Sequence, residues 1–321
     1  MTKAIILMNR LPENAAPDET DVLHQAEVFE QAFGQLGISH DRIFADLNLE
    51  SLKHQLSALQ PSLVVNLVES LGGDGSLLHL VPSLLESMRI PYTGNPAQSL
   101  FLTTSKPLSK SWMTASGIPT PAWFESPVAH NLNPAKTYIA KPSGEDASVG
   151  IDDDSVFRGD QAHRLDSLRE RWGDRFFIEE FIAGREFNLS LLGGKGVVDV
   201  MKPAEILFKD YPRDKPAIVG YQAKWDESSF EYTHTVRQFI DKNEDPLLVA
   251  GMNEISLKCW HLFQLRGYAR VDFRVDSAGN PWVLEINANP CIAPDSGFYA
   301  ACLESGFEIK RVIQRIIEET S

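Results

Sequence analysis

Cysteine is scarce in this chain. Cys259, Cys291 and Cys302 are its only thiols, and none stands in C-x-x-C spacing. That pattern speaks against a disulfide framework or a thiolate metal site and fits reduced thiols in a cytoplasmic protein. The eight histidines form no ligand cluster in sequence, so zinc chemistry has nothing to rest on. The apolar run at the N-terminus, Ala4 to Met8, is too short for a secretory or membrane segment. Basic residues are outnumbered, 30 Lys and Arg against 44 Asp and Glu, a net charge of -14. This balance disfavours nucleic acid and anionic membranes as partners while leaving room for a local basic pocket. Internal repeats and low-complexity tails are also missing.

What is present is enough for two or three domains: 321 residues of ordinary globular composition. The stretch with most chemistry runs from Arg266 to Pro290. Arg270 to Val275 and Trp282 to Asn287 read as two strands joined by the turn Asp276-Ser277-Ala278-Gly279-Asn280. Alternation puts Arg270, Asp272 and Arg274 on one face of the first strand, and Val283, Glu285 and Asn287 on one face of the second. If those faces coincide, Asp272, Glu285 and Asn287 converge as a hard, all-oxygen set suited to Mg²⁺ or Mn²⁺ beside phosphate. The alternative is an amphipathic hairpin with one solvated face. The flanks Val283-Leu284 and Ile286 favour the metal, because unpaired carboxylates inside a sheet are costly.

Along the chain, a buried strand at Ala4 to Met8 precedes a helix capped by Asp18 or Thr20 and stopped by Gly37. Strands near Ser39 to Ala45 and Leu63 to Val68 continue a β-α-β rhythm, which predicts a parallel sheet flanked by helices. Gly72-Gly73-Asp74-Gly75-Ser76 then leads into a helical run, Leu77 to Met88. The loop resembles the phosphate loop of NAD and lipid kinases, or is a tight strand-to-helix turn. Thr103 to Ser116 reads as one helix with Lys106 and Lys110 near its start. Lys141 to Gly150 is either a phosphate flap or a polar loop. Glu179 and Glu186, on neighbouring strands, are placed to bond an adenine amine and a ribose, or are exposed strand-end glutamates. Met201 to Asp245 is irregular and polar and contains Lys224. Pro246 to Leu265 is a helix whose apolar stripe includes Cys259, a core residue rather than a nucleophile.

Taken in order, Gly72-Gly73-Asp74-Gly75-Ser76, Pro91-Tyr92-Thr93-Gly94, Ser105-Lys106, Lys141-Pro142 with Ser148-Val149-Gly150, Gly184-Arg185-Glu186-Phe187, Ala223-Lys224, Arg270-Val271-Asp272-Phe273 and Glu285-Ile286-Asn287 with Pro290 resemble the ATP-grasp superfamily. Within it the set looks most like the D-alanine–D-alanine ligases. The resemblance covers Gly72 to the C-terminus. It implies an α/β and α+β chain, a three-domain ATP-grasp with nucleotide held between two sheets. The expected units are 1–97, 98–183 and 184–321, the last bearing the metal hairpin.

The resemblance also implies roles. Lys106 and Lys141 contact the ATP phosphates, and Ser148 lies in the loop over the triphosphate. Glu179 sits at the adenine hinge, where the backbone of Glu180, Phe181 and Ile182 hydrogen-bonds the base, and Glu186 holds the ribose. Lys224 reaches the γ-phosphate. Asp272, Glu285 and Asn287 bind two Mg²⁺ ions, and Arg270 clamps the oxyanion on the reacting acyl group. The implied chemistry joins a carboxylate to an amine through an acyl phosphate, giving ADP and phosphate. Amino acids or small peptides are the implied substrates, and a homodimer is left open.

Departures cluster in the substrate pocket. The family's glutamate after the first strand has only Glu13 as a substitute, in Met8-Asn9-Arg10-Leu11-Pro12-Glu13. Val68-Glu69 replaces the usual H-G, and Gly73 replaces a glutamate. Pro290-Cys291-Ile292-Ala293 replaces P-G-x-[ST], although Ser296 keeps the place of a substrate-contacting serine. The expectation is a ligase with altered amino-acid specificity. The alternatives are a small-molecule kinase using the GGDGS loop, or a true D-alanine–D-alanine ligase.

Overall fold

The structure is a computed structural model and describes residues 3–125, 132–144 and 147–320. The first strand, β1 (Lys3–Asn9), is entered by apolar residues and is almost wholly buried. Helix α1 (Pro17–Leu36), β2 (Ser39–Ala45), α2 (Leu49–Leu59), β3 (Leu63–Leu67) and α3 (Leu80–Met88) follow. The strands pair in parallel in the order β2-β1-β3, as the β-α-β rhythm predicts. The cap of α1 differs from the expected Asp18 or Thr20. Ala16 is the N-cap, Pro17 takes the first turn, and Glu19 accepts a 2.8 Å bond from the Ala16 amide. Proline fits there because its fixed φ is helical and its missing N–H would have had no partner.

The helix expected over Thr103 to Ser116 is two helices, α4 (Ala97–Thr104) and α5 (Lys106–Ala115), with Ser105 extended between them. Pro107 forces the break, since its ring excludes the carbonyl four residues earlier. The break turns Lys106 and Lys110 inward. Both helices lie against the large sheet described below, and Leu102 and Met113 enter its core.

A second, antiparallel sheet comprises β4 (Trp123–Phe124), β5 (Thr137–Pro142), β6 (Val156–Arg158) and β7 (Phe176–Glu180) in the order β4-β7-β5-β6, with α6 (Arg164–Trp172) packed on it. The third sheet holds β8 (Arg185–Gly194), β9 (Val197–Val200), β10 (Ala204–Phe208), β11 (Thr235–Phe239), β12 (Tyr268–Val275) and β13 (Pro281–Ala288). Its order is β11-β10-β8-β12-β13, with β9 beside β8. The stretch expected to be irregular thus supplies two strands, and between them α7 (Tyr221–Trp225) and α8 (Phe230–His234). Five-residue strands carry too little local pattern to announce themselves, and pairing with β8 and with each other fixes them. Helix α9 (Pro246–Leu262) covers one face, with Cys259 buried as expected. Helices α10 (Gly297–Glu304) and α11 (Ile309–Glu318) return to the first sheet and share a core with β1 and α1.

The three sheets draw their strands from successive stretches of the chain, β1 to β3, β4 to β7 and β8 to β13. Among the described residues no helix is long and apolar enough to cross a membrane.

Candidate active site

The hairpin brings the polar residues together, but a register shift between Asp272 and Phe273 turns Val283, expected on the face of Glu285, into the apolar core with Val271, Phe273 and Ile286. β12 and β13 pair antiparallel, with Asp272 opposite Glu285 and Arg270 opposite Asn287. Arg270 grips Asp272 through Nε and Nη2 at 2.7 and 2.8 Å. Asn188 on β8 and Asn287 donate to the same carboxylate at 2.8 and 3.0 Å. Burial alone would raise the Glu285 carboxyl. Lys106, Lys141, Lys224 and Arg270 outweigh it and hold the group ionised, well below the usual carboxylate range. Lys106 itself lies 3.4 Å from Glu285.

A buried and a half-buried carboxylate with an amide oxygen on facing strands fit a hard divalent cation. No set of three or more His, Cys, Asp and Glu side chains fit for a metal occurs among the described residues. The candidate set therefore needs Asn287 as its third member. Its amide now donates to Asp272, so a cation would require it to present its oxygen instead.

The second wall comes from α5, β5 and β7. Glu179 is buried and takes Lys110 at 2.5 Å and Lys141 at 2.6 Å. It is therefore not the exposed strand-end glutamate that sequence allowed. Lys110 also donates to Thr120 at 2.8 Å, and its charge is pushed down chiefly by burial. Glu180 points the other way, to Lys136 at 2.5 Å, and with Ile182 lines a cavity of about 510 Å³ edged by Trp123 and Trp282. Phe181 carries the Arg274 guanidinium 5.1 Å from its ring centre. Arg274 pairs with Glu186 at 2.8 Å, so the carboxylate expected at the ribose is buried beside Asp272, and burial raises its pKa.

Loops close over these groups. Ser148 and Ala147 both hold positive φ, 62° and 56°, a strained arrangement for residues with side chains. Ser148 Oγ donates to the Val219 carbonyl at 2.8 Å, and Trp225 Nε1 donates to the Ala147 carbonyl at 3.0 Å. Glu145 and Asp146 of the expected flap lie outside the described residues. Lys224, on α7, is pushed down by burial and by Arg270, while Glu285, Asp272 and Glu186 pull it up. Tyr221, one turn earlier, donates to Asp18 on α1 at 2.8 Å. In the GGDGS loop Asp74 accepts from the Ser76 amide at 2.9 Å and its hydroxyl at 2.5 Å, and from Arg175 Nη1 at 3.4 Å.

The expected substrate residues divide. Glu13 is solvent-exposed. Glu69 accepts from Gln25 on α1 at 2.8 Å, while Cys291 donates to Asp21 at 2.8 Å. Ser296 caps α10 by accepting from the Tyr299 amide at 3.2 Å. A Cβ on Gly297 would lie 3.8 Å from Arg270 Nη1, which sets the α10 N-terminus beside the hairpin. Gly94, at φ 89°, lets the Tyr92-Thr93-Gly94 turn approach Asn289, whose side chain a Cβ there would strike.

Lys110, Asp21 and Asn188 are the site neighbours that sequence reasoning left without a role. Their signal was available only as polar residues on otherwise buried faces. Asp21 and Gln25 share the buried stripe of α1 with Val22, Ala26 and Phe29.

The sequence matches the family described as D-ala D-ala ligase C-terminus over residues 122–318. A D-alanine–D-alanine ligase of Aquifex aeolicus is 30% identical over 295 residues, covering 89% of this chain and 91% of that protein. One from Synechococcus is 28% identical, covering 78% of this chain and 74% of its own. An uncharacterised protein of Sinorhizobium fredii, y4sG, is 29% identical and covers 80% and 74%. In fold, the crystal structure of a Bacillus anthracis D-alanine–D-alanine ligase complexed with ATP superposes over 100% of this chain and 97% of its own. Its TM-score is 0.74 at 20% identity. These likenesses establish that the chain belongs to the D-alanine–D-alanine ligase family of ATP-grasp enzymes, which form C–N bonds at the expense of ATP.

Proposed function

We propose that this enzyme joins the carboxylate of one amino acid or small peptide to the amine of another through an acyl phosphate, and that D-alanine with itself is not its preferred pair. The observation that carries the ligase chemistry is one of charge. Six cations (Lys106, Lys110, Lys141, Lys224, Arg270 and Arg274) surround four carboxylates, Glu179, Glu186, Asp272 and Glu285. A protein of net charge -14 has concentrated a positive surplus in one cleft, which suits a triphosphate.

In this reading residues 1–97, 98–183 and 184–321 act as three units, with ATP between the second and third sheets. Lys106 and Lys141 leave their carboxylates for phosphate oxygens. Glu179 takes the adenine amine, with the backbone of Glu180 to Ile182 along the base edge, and Glu186 takes the ribose. Asp272, Glu285 and Asn287 would hold Mg²⁺ or Mn²⁺, which supplies charge neutralisation and alignment at the phosphates. The substrate carboxylate oxygen attacks the γ-phosphorus, the bond to the β-phosphate oxygen breaks, and ADP leaves. Lys224 steadies the transferred phosphoryl group. The amine nitrogen then attacks the acyl carbon, Arg270 holds the oxyanion, and phosphate departs as the nitrogen loses its proton. Ser148 and the segment around Tyr221 exclude water, which would otherwise hydrolyse the acyl phosphate.

The specificity part rests on what lines the amine pocket. Glu13 faces solvent, whereas Glu69 and Asp21 lie among Gln25 and Cys291. A site whose polar contacts differ discriminates strongly against the original substrate. The test measures ADP, phosphate and ligated product for amino acids and dipeptides, singly and in pairs. ADP release requiring both a carboxylate and an amine is expected. AMP and pyrophosphate, or a stable phosphorylated small molecule, would overturn the chemistry. D-alanine with itself ranking first in kcat/KM would overturn the specificity.

A further inference from the structure

Lys110 is a buried cation to which the mechanism above gives no task. Its side chain on α5 is 1% exposed, and its Nζ stands 2.5 Å from Glu179 Oε2. Lys141 meets the other oxygen, Oε1, at 2.6 Å, but from a more open position, 12% exposed near the end of β5. The two lysines differ again in what else holds them. Lys110 donates to Thr120 Oγ1 at 2.8 Å, and Thr120 donates in turn to the Val283 carbonyl at 2.8 Å. The Val283 amide donates to the Pro119 carbonyl at 2.8 Å, so this anchor is built into β13 beside its register shift. Lys141 instead lies where β5 runs out toward the loop carrying Ser148, and its charge also helps to hold Glu285 ionised.

A buried carboxylate must keep a counter-charge or take up a proton. Glu179 has two counter-charges, which outweigh its burial and hold it below the usual carboxylate range. Neither contact has hydrogen-bond geometry, so both oxygens keep an acceptor direction for a better-placed donor. If Lys141 moves to a phosphate, Oε1 loses its cation, while Lys110 and the Thr120 anchor keep the carboxylate charged and aimed. An ionised oxygen accepts from an amino group and repels a carbonyl oxygen. A protonated carboxyl could serve either.

We propose that Lys110 is the fixed counter-ion of Glu179 and Lys141 the exchangeable one, so that a polyphosphate draws Lys141 off Oε1 and thereby opens the acceptor that reads the 6-amino group of the base. Lys110 is then a positioning residue. It touches neither base nor phosphate and acts by keeping Glu179 charged and in place. The inference rests on the reading that sets Glu179 at the adenine amine, and adds that base recognition is conditional on phosphate. Such coupling is reciprocal between the two ends of the nucleotide. A nucleoside without phosphates leaves Lys141 on Oε1, and adenosine then gains little over inosine.

The experiment titrates the full-length enzyme in the presence of Mg²⁺ with ADP and IDP, and measures adenosine and inosine by displacement of ADP. No ligase substrate is needed. The wild type is expected to prefer ADP to IDP at least about tenfold, the scale of one polar contact in a site built for it. Adenosine and inosine should bind within about twofold of each other. In Lys110→Met the ADP preference should fall toward unity, and in Lys141→Met a preference for adenosine over inosine should appear. Lys110→Met should change the ratio no further in a Glu179→Gln background, where removing both charges spares the fold. A merely structural lysine would lower the affinities for ADP and IDP alike. An adenosine preference as large as that for ADP, or a folded Lys110→Met that keeps the wild-type ratio, overturns the proposal and leaves Glu179 at the base. Equal affinity of the wild type for ADP and IDP overturns the placement of Glu179 itself, and the proposal with it. The four wild-type affinities decide even if the variants fail to fold.

Discussion

Asp272 on β12 and Glu285 on β13 are register partners across an antiparallel pair, and each is neutralised by a different cation, Arg270 for the first and Lys106 for the second. The two carboxylates therefore sit side by side with a separate cation on each. This relationship makes the hairpin a preformed anionic platform whose counter-charges can be exchanged.

Replacing the platform should remove chemistry before it removes structure. Asp272→Asn, Glu285→Gln and Asn287→Ala are each expected to lower turnover at least about tenfold, a barrier increase of roughly 1.4 kcal/mol. Thermal melting should change far less for Glu285→Gln and Asn287→Ala, whereas Asp272→Asn also takes the carboxylate from Arg270 and should lower stability as well. The check is ADP release against Mg²⁺ concentration. Full activity of Glu285→Gln at limiting Mg²⁺ would contradict the metal assignment.

Glu179 presents the opposite case. It is the shared anion of two lysines, so Glu179→Gln leaves Lys110 and Lys141 buried without it. Removing one member of such a cluster costs about 3–5 kcal/mol. Chemical denaturation should show that loss, together with a raised KM for ATP. The pH dependence has a definite sign. Lys110 and Lys141 overcome burial and hold this carboxyl below its ordinary 4.5. Its contribution is thus complete above that pH and disappears as pH falls through the lower folded value. The stability gap between wild type and Glu179→Gln should narrow in acid. A gap that widened there would refute the assignment.

Tyr221 ties the segment carrying Lys224 to α1 through Asp18. Tyr221→Phe deletes that bond and nothing else in the cleft. The expected result is leakage: phosphate released per ATP should exceed ligated product, because water reaches the acyl phosphate. Parallel assays of phosphate and product decide it, and a ratio still at one to one counts against a closing role.

The thiols should be silent. Burial pushes Cys259 and Cys302 up to about 12, and burial with Asp21 and Glu69 raises Cys291 well above its ordinary value. Only thiolates react readily, so alkylation of the native enzyme at pH 8 should be slow at all three and become fast on denaturation. Rapid native labelling of Cys291 would show that its Asp21 contact opens in solution.

Much of this was legible in sequence because it depends on local period and composition. Alternation is a property of the extended backbone, so it set Arg270 with Asp272 and Glu285 with Asn287, whereas the register shift that turned Val283 into the core was not legible. The first β-α-β units, the Gly37 stop and the apolar stripe burying Cys259 likewise follow from neighbours within a few residues. Other features depended on contacts between residues far apart in the chain. The single helix expected at Thr103 became two, and only their packing on the large sheet turned Lys110 toward Glu179, 69 positions later. Arg237 reads in sequence as one more polar residue in an irregular stretch. Only the pairing of β11 into the large sheet set its guanidinium against the Asp295 and Ser296 carbonyls, some sixty residues onward. Local pattern determines which face a side chain takes, whereas the counter-charge it meets is set by packing.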